Sequence, residues 1–134
     1  MRLPKGATVA VADGERLNLF RNTGEEADPV LTALPEADVA GGNKGAGARR
    51  QGSSADPGHG QAEEDGFAAG IADLLNRQVL DGRITALVIV AAPRALGELR
   101  KHYHQKLSAA LVGEIAKDLT GHAVRDVEKA IAAA

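Results

Sequence analysis

The sequence predicts an α/β protein: a mixed sheet of about five strands, with an antiparallel N-terminal meander and a parallel central strand, flanked by helices. Three observations carry this. Leu87-Val88-Ile89-Val90-Ala91 is an apolar, largely β-branched run with no polar alternation, the pattern of a strand buried on both faces. The first third of the chain holds short strand-like runs separated by turn residues. Glu63 to Leu80 carries Phe67, Ile71, Leu74, Leu75 and Val79 at helical spacings of three and four.

With 134 residues the chain has the length of one ordinary domain, and 1–134 is read as one. At 44% hydrophobic but only 2% aromatic residues, the core must be built from Ala, Val, Leu and Ile. A net charge of −2 provides no global attraction for nucleic acid or an anionic membrane, and no DNA partner is expected. There is no cysteine, which excludes disulfides and thiolate metal sites. Met1 to Gly6 lead into a stretch too interrupted for a signal peptide, and no apolar run approaches spanning length, so a soluble, cytoplasmic protein without membrane insertion is expected.

Taken in order, Ala7 to Ala12 reads as a first strand and Asp13-Gly14 as a hairpin turn. Arg16 to Asn22 alternates with period two, marking a half-buried antiparallel partner. Asn22 to Glu26 is a second turn, and Val30 to Leu34 a third strand stopped by Pro35. Ala40 to Gln61 has glycines at 41, 42, 45, 47, 52, 58 and 60 and no large apolar residue. Nothing there offsets an ordering cost of roughly 1–2 kcal/mol per residue, so a flexible loop is expected. Lys44, Arg49 and Arg50 make that loop locally basic.

Glu63-Glu64-Asp65 suit the first turn of the following helix, and Gly82 its C-terminal cap. After the central strand, Pro93 suits a helix start, and Arg94 to Tyr103 is the helix expected, with Leu96 and Leu99 inward. His102 to Lys106 form a polar junction. Leu107 to Leu111 suggests another short helix, and Val112 to Leu119 fits strand or helix. Thr120 reads as the N-cap of a last helix whose buried stripe is Val124, Val127 and Ile131.

Arg94 is the first candidate for function, because ligands of open α/β sheets gather at the carboxyl ends of strands and a guanidinium fork suits phosphate or carboxylate. Its plainer reading is a solvated first-turn residue. Arg49 and Arg50 similarly suit RNA phosphates or merely solubility. Asp13, Asp118 and a third carboxylate would make a metal-ion nuclease site, but Asp13 before Gly14 is already explained by the turn. His102 and His104 fall on different helix faces with no third ligand. No Walker loop or catalytic triad is present. No catalytic residue, metal or cofactor is therefore expected.

Val11 to Arg16, the Gly/Arg/Ser-rich loop, Leu87-Val88-Ile89-Val90-Ala91-Ala92-Pro93-Arg94-Ala95-Leu96-Gly97-Glu98-Leu99-Arg100 and Glu114 to Thr120 together resemble the bacterial host attachment protein family, named as proteins required for attachment to host cells. That family is similar to the middle domain of archaeo-eukaryotic release factors and Pelota. The resemblance implies a ribonuclease-H-like mixed sheet, with the long loop where release factors carry Gly-Gly-Gln into the ribosome. This chain has Gly41-Gly42-Asn43 and Gly58-His59-Gly60-Gln61 instead, so peptidyl-tRNA hydrolysis is not carried over. The expected function is a non-enzymatic, translation-related domain binding ribosomal or structured RNA through Lys44, Arg49, Arg50 and Arg94. The alternative is an envelope or host-attachment interaction protein with a protein or glycan partner.

Overall fold

The computed structural model describes residues 1–35, 39 and 57–134, with side chains at 57–62 excepted. Among them five strands form one sheet: β1 (Thr8–Ala12), β2 (Leu17–Asn22), β3 (Leu31–Ala33), β4 (Leu87–Ala91) and β5 (Leu111–Ala116), in the spatial order β3-β2-β1-β4-β5. Pairing is antiparallel for β1 with β2 and for β2 with β3. It is parallel for β1 with β4 and for β4 with β5. The helices are α1 (Pro57–Leu80), α2 (Pro93–Arg100), α3 (Gln105–Ala110) and α4 (Val124–Ala133).

Alternation along the strands sends side chains to two cores. Ala10, Leu17, Leu19, Leu87 and Ile89 pack with Phe67, Ile71 and Leu75 of α1, Leu96 and Leu99 of α2, and Leu107 of α3. Val9, Val11, Phe20, Val88, Val90 and Ile115 pack on the other face with Leu3 and with Val127 and Ile131 of α4. Every residue of β4 is at 0% exposure, as a run without polar alternation requires. The two-sided covering also corrects the half-buried reading of β2: Phe20 is buried beneath the α4 side while Leu17 and Leu19 face α1.

Several boundaries differ from expectation for local reasons. The first long helix begins at Pro57, six residues before the expected start at Glu63, so 57–61 of the expected 40–61 loop are helical. Proline is pre-shaped for a first helical position. Glu63 to Asp65 consequently lie beyond the first turn. Residues 40–56, with Lys44, Arg49 and Arg50, lie outside the described residues.

Gly82 does end α1, at φ +86°, with Arg83 N–H closing back on Gln78 O at 2.9 Å. Helix α2 stops at Arg100 rather than Tyr103. There the Asn76 side chain takes over, donating to His102 O at 2.9 Å and accepting from His104 N–H at 2.9 Å. The ambiguous stretch after α3 is a strand from Leu111 to Ala116. Thr120 is not a cap: α4 begins at Val124 after Ala123, and Val124 is 37% exposed rather than buried.

The side chain of buried Asn22 is satisfied. Asn22 donates to Leu3 O at 2.9 Å and accepts from Gly24 N–H at 2.9 Å and Val30 N–H at 3.1 Å, organising the turn from β2 to β3. On the edge strand β3, Leu31 N–H donates to Glu128 Oε2 of α4 at 2.7 Å, which occupies a ladder donor that faces no further strand.

Candidate functional site

Parallel β1 and β4 end side by side, with Ala12 level with Ala91, so the loops leaving both open at one edge of the sheet. A cleft of about 300 Å³ lies there. Gly14, Ala68, Ala92 and Ala95 form its small-residue wall, and the segment beyond β5 adds Asp118. This is the carboxyl end of the parallel strands, where such sheets tend to hold ligands.

The turn closing the β1–β2 hairpin is built by Asp13. Its Oδ1 accepts from Glu15 N–H at 2.7 Å and Arg16 N–H at 2.6 Å, and Asp13 N–H donates to Arg16 O at 3.0 Å. Gly14 is therefore not needed for a left-handed φ, as the dipeptide signal suggests. A Cβ there would come within 2.7 Å of Glu64 Cγ, so the exposed Glu64 side chain would have to shift to admit it.

Thr120 joins this turn from the far side. Its hydroxyl lies 2.7 Å from Asp13 Oδ2 and 2.7 Å from Asp118 Oδ1. One proton is shared between two carboxylate acceptors. Burial alone raises the pKa of Asp13, but the bonds from Glu15, Thr120 and Arg16 and the Arg16 charge outweigh it, leaving it below the usual carboxylate value.

Arg94 stands in the first turn of α2, exposed, and lines the cleft as its sequence position predicts. The lining otherwise contributes Asp13, Glu15, Glu64, Asp65, Glu98 and Asp118. A guanidinium in such company sits in a field that disfavours an approaching phosphate and favours a cationic group. Glu98, one helical turn after Arg94, is already engaged with Lys101 Nζ at 3.1 Å and His102 Nε2 at 3.4 Å. The Lys101 bond first, and the His102 bond after it, hold its carboxyl below the usual range.

Sequence reading found Arg94, Asp13 and Asp118 but not Glu64, Asp65 or Glu98. The i to i+4 spacing from Arg94 to Glu98 puts both on one helix face and was the available signal for Glu98. For Glu64 and Asp65, the signal was obscured by assigning them to a helix first turn. The structure brings Arg94, Asp13 and Asp118 to one cleft, while Lys44, Arg49 and Arg50 fall outside the described residues. Among the described residues no group of three or more His, Cys, Asp or Glu side chains is disposed to hold a metal ion. None of the helices described is long and apolar enough to cross a membrane.

A second polar cluster lies behind α2. Glu114 of β5 accepts from Arg100 Nε and Nη2 at 3.0 and 2.8 Å and from the Tyr103 hydroxyl at 2.7 Å. Burial, then the bond to the Glu114 carboxylate, pushes the Tyr103 pKa well up. Burial works against ionised Glu114, yet Arg100 and Tyr103 more than compensate and lower its pKa.

No curated protein matches the chain. Residues 6–131, which include all five strands and reach into the last helix, match the family model of bacterial archaeo-eukaryotic release factors, family 12. The chain belongs to bacterial archaeo-eukaryotic release factor family 12, a translation-related class of domain.

Proposed function

We propose that this domain binds the ribosome or another structured RNA and does so without hydrolysing peptidyl-tRNA. The match to the release factor family over residues 6–131 carries the reading. The sequence supports it further: Lys44, Arg49 and Arg50 lie between β3 and α1, the connection that corresponds to the ribosome-entering arm of release factors, and Gly-Gly-Gln is absent. Phosphate contacts by these three cations supply most of the affinity. Arg94 adds a smaller one, since the carboxylates around it oppose a phosphate there.

The test is a salt titration of binding to purified ribosomes and to ribosomal RNA fragments. Replacing both Arg49 and Arg50 with Ala should weaken binding about equally for all RNA sequences, because phosphate contacts carry no base information. Arg94→Ala should weaken it less and leave the melting temperature unchanged, as expected for an exposed first-turn residue. Undetectable binding at low salt overturns the proposal. Release of nascent peptide from stalled ribosomes by the purified protein overturns its second half.

A further inference from the structure

We infer that the turn from Arg100 to Lys106 is a second, pre-shaped RNA-contacting surface, resting on the reading that the domain binds RNA. Arg100, Lys101, His102, His104 and Lys106 are all exposed within seven consecutive positions. Clusters of that kind are often only solvated, but this one is held in a fixed shape. Asn76 of α1 bonds the backbone on both sides of Tyr103, to His102 O and His104 N–H, each at 2.9 Å. The ring Nδ1 of His104 accepts from Lys106 N–H at 2.9 Å. Tyr103 is pinned inward by Glu114 at 2.7 Å. Fully buried Leu99 and Leu107 anchor the two ends.

The turn therefore presents its cations and two imidazole rings from a backbone that is already ordered, which lowers the ordering cost of binding. Glu98 and Glu114 partly neutralise Lys101 and Arg100. Lys106 makes no ion pair among the described residues, so the segment keeps a positive balance. Cations at the rim of exposed flat rings suit single-stranded RNA, whose phosphates take the charge and whose unstacked bases take the rings. An acidic protein surface would use the charges and leave the rings idle. Glu98, which lines the acidic cleft, pairs with both Lys101 and His102, so the two surfaces meet at that residue.

The experiment measures the full chain against a fluorescently labelled RNA stem-loop with a single-stranded loop, across a salt series. The variants are Lys101→Gln with Lys106→Gln, the matching double Arg variant, and His102→Ala with His104→Ala. Loss of two phosphate contacts should reduce the slope of log affinity against log salt by about 1.4, at about 0.7 per contact with single strands. The double Arg variant should restore binding. The His variant should weaken binding with the slope kept. Melting curves confirm that the Lys variants fold. If wild type and the Arg49, Arg50 variant differ in RNA binding while the Lys101, Lys106 variant equals wild type, this inference fails and the functional reading stands. If wild type binds no RNA at any salt, both fail together.

Discussion

The Thr120 hydroxyl meets Asp13 Oδ2 at 2.7 Å across 107 positions of sequence, tying the segment after β5 to the β1–β2 turn. Thr120→Val keeps the shape and removes the donor. It should destabilise the protein by about 1 kcal/mol, the net worth of such a bond. The Asp13 carboxyl should titrate nearer its ordinary value, because one of the bonds that lowers it is gone. Carbon-detected NMR titration of Asp13 reads this directly. An unchanged Asp13 titration in the variant contradicts the bridge.

Glu114→Gln tests the network behind α2. Glu114 has its pKa lowered in the folded protein from an ordinary 4.5. Its stabilising contribution is therefore present above that value and lost as pH falls through the lowered one. The variant should melt a few degrees below wild type at neutral pH, with the gap closing on acidification below 4.5. A gap independent of pH across that range assigns the loss to packing instead. Tyr103, whose pKa is raised from 10.0, gives the opposite limb: its contribution is lost only in strong alkali.

Ile89 is at 0% exposure in the central strand. Ile89→Asp places an unpaired carboxylate there at a cost of several kcal/mol, comparable with the whole stability of a small domain. Thermal melting followed by circular dichroism should show no cooperative transition. A variant that melts within a few degrees of wild type contradicts the strand's central place.

Two glycines should respond differently to alanine. A Cβ on Gly24 would meet Val30 N at 2.7 Å and Asp28 O at 2.8 Å, both main-chain atoms. A Cβ on Gly14 would meet Glu64 Cγ at 2.7 Å and Cδ at 2.9 Å, atoms of an exposed, flexible side chain. Gly24→Ala should cost about 1–3 kcal/mol by overpacking, and Gly14→Ala less. Urea unfolding midpoints rank them, and the reverse order contradicts the turn geometry.

What was legible in the sequence was what depends on neighbours along the chain. The β-branched run gave β4, the alternation gave β2, and the spacing of Val127 and Ile131 gave the buried side of α4. The carboxyl end of β4 also pointed to Arg94. What was not legible is assembled from afar. Thr120 has the chemistry of an N-cap, and only the fold shows that Asp13 and Asp118 claim its hydroxyl. The acidic character of the cleft arises because Glu64, Glu98 and Asp118 come from three separate elements, each with an innocuous local pattern. Strand β2 reads as half-buried because the cover over Phe20 comes from α4, more than a hundred residues later.

The central position of β1 has a consequence for the order in which the protein can be made. Its ladder to β2 joins residues close in sequence, whereas its other ladder needs Leu87 to Ala91. A chain emerging from synthesis carries the meander long before β4 exists, with one side of β1 bare and ready to pair with any passing strand. Native closure must wait for just over two-thirds of the sequence, so folding is slowed by the span of that parallel pairing rather than by any one weak element.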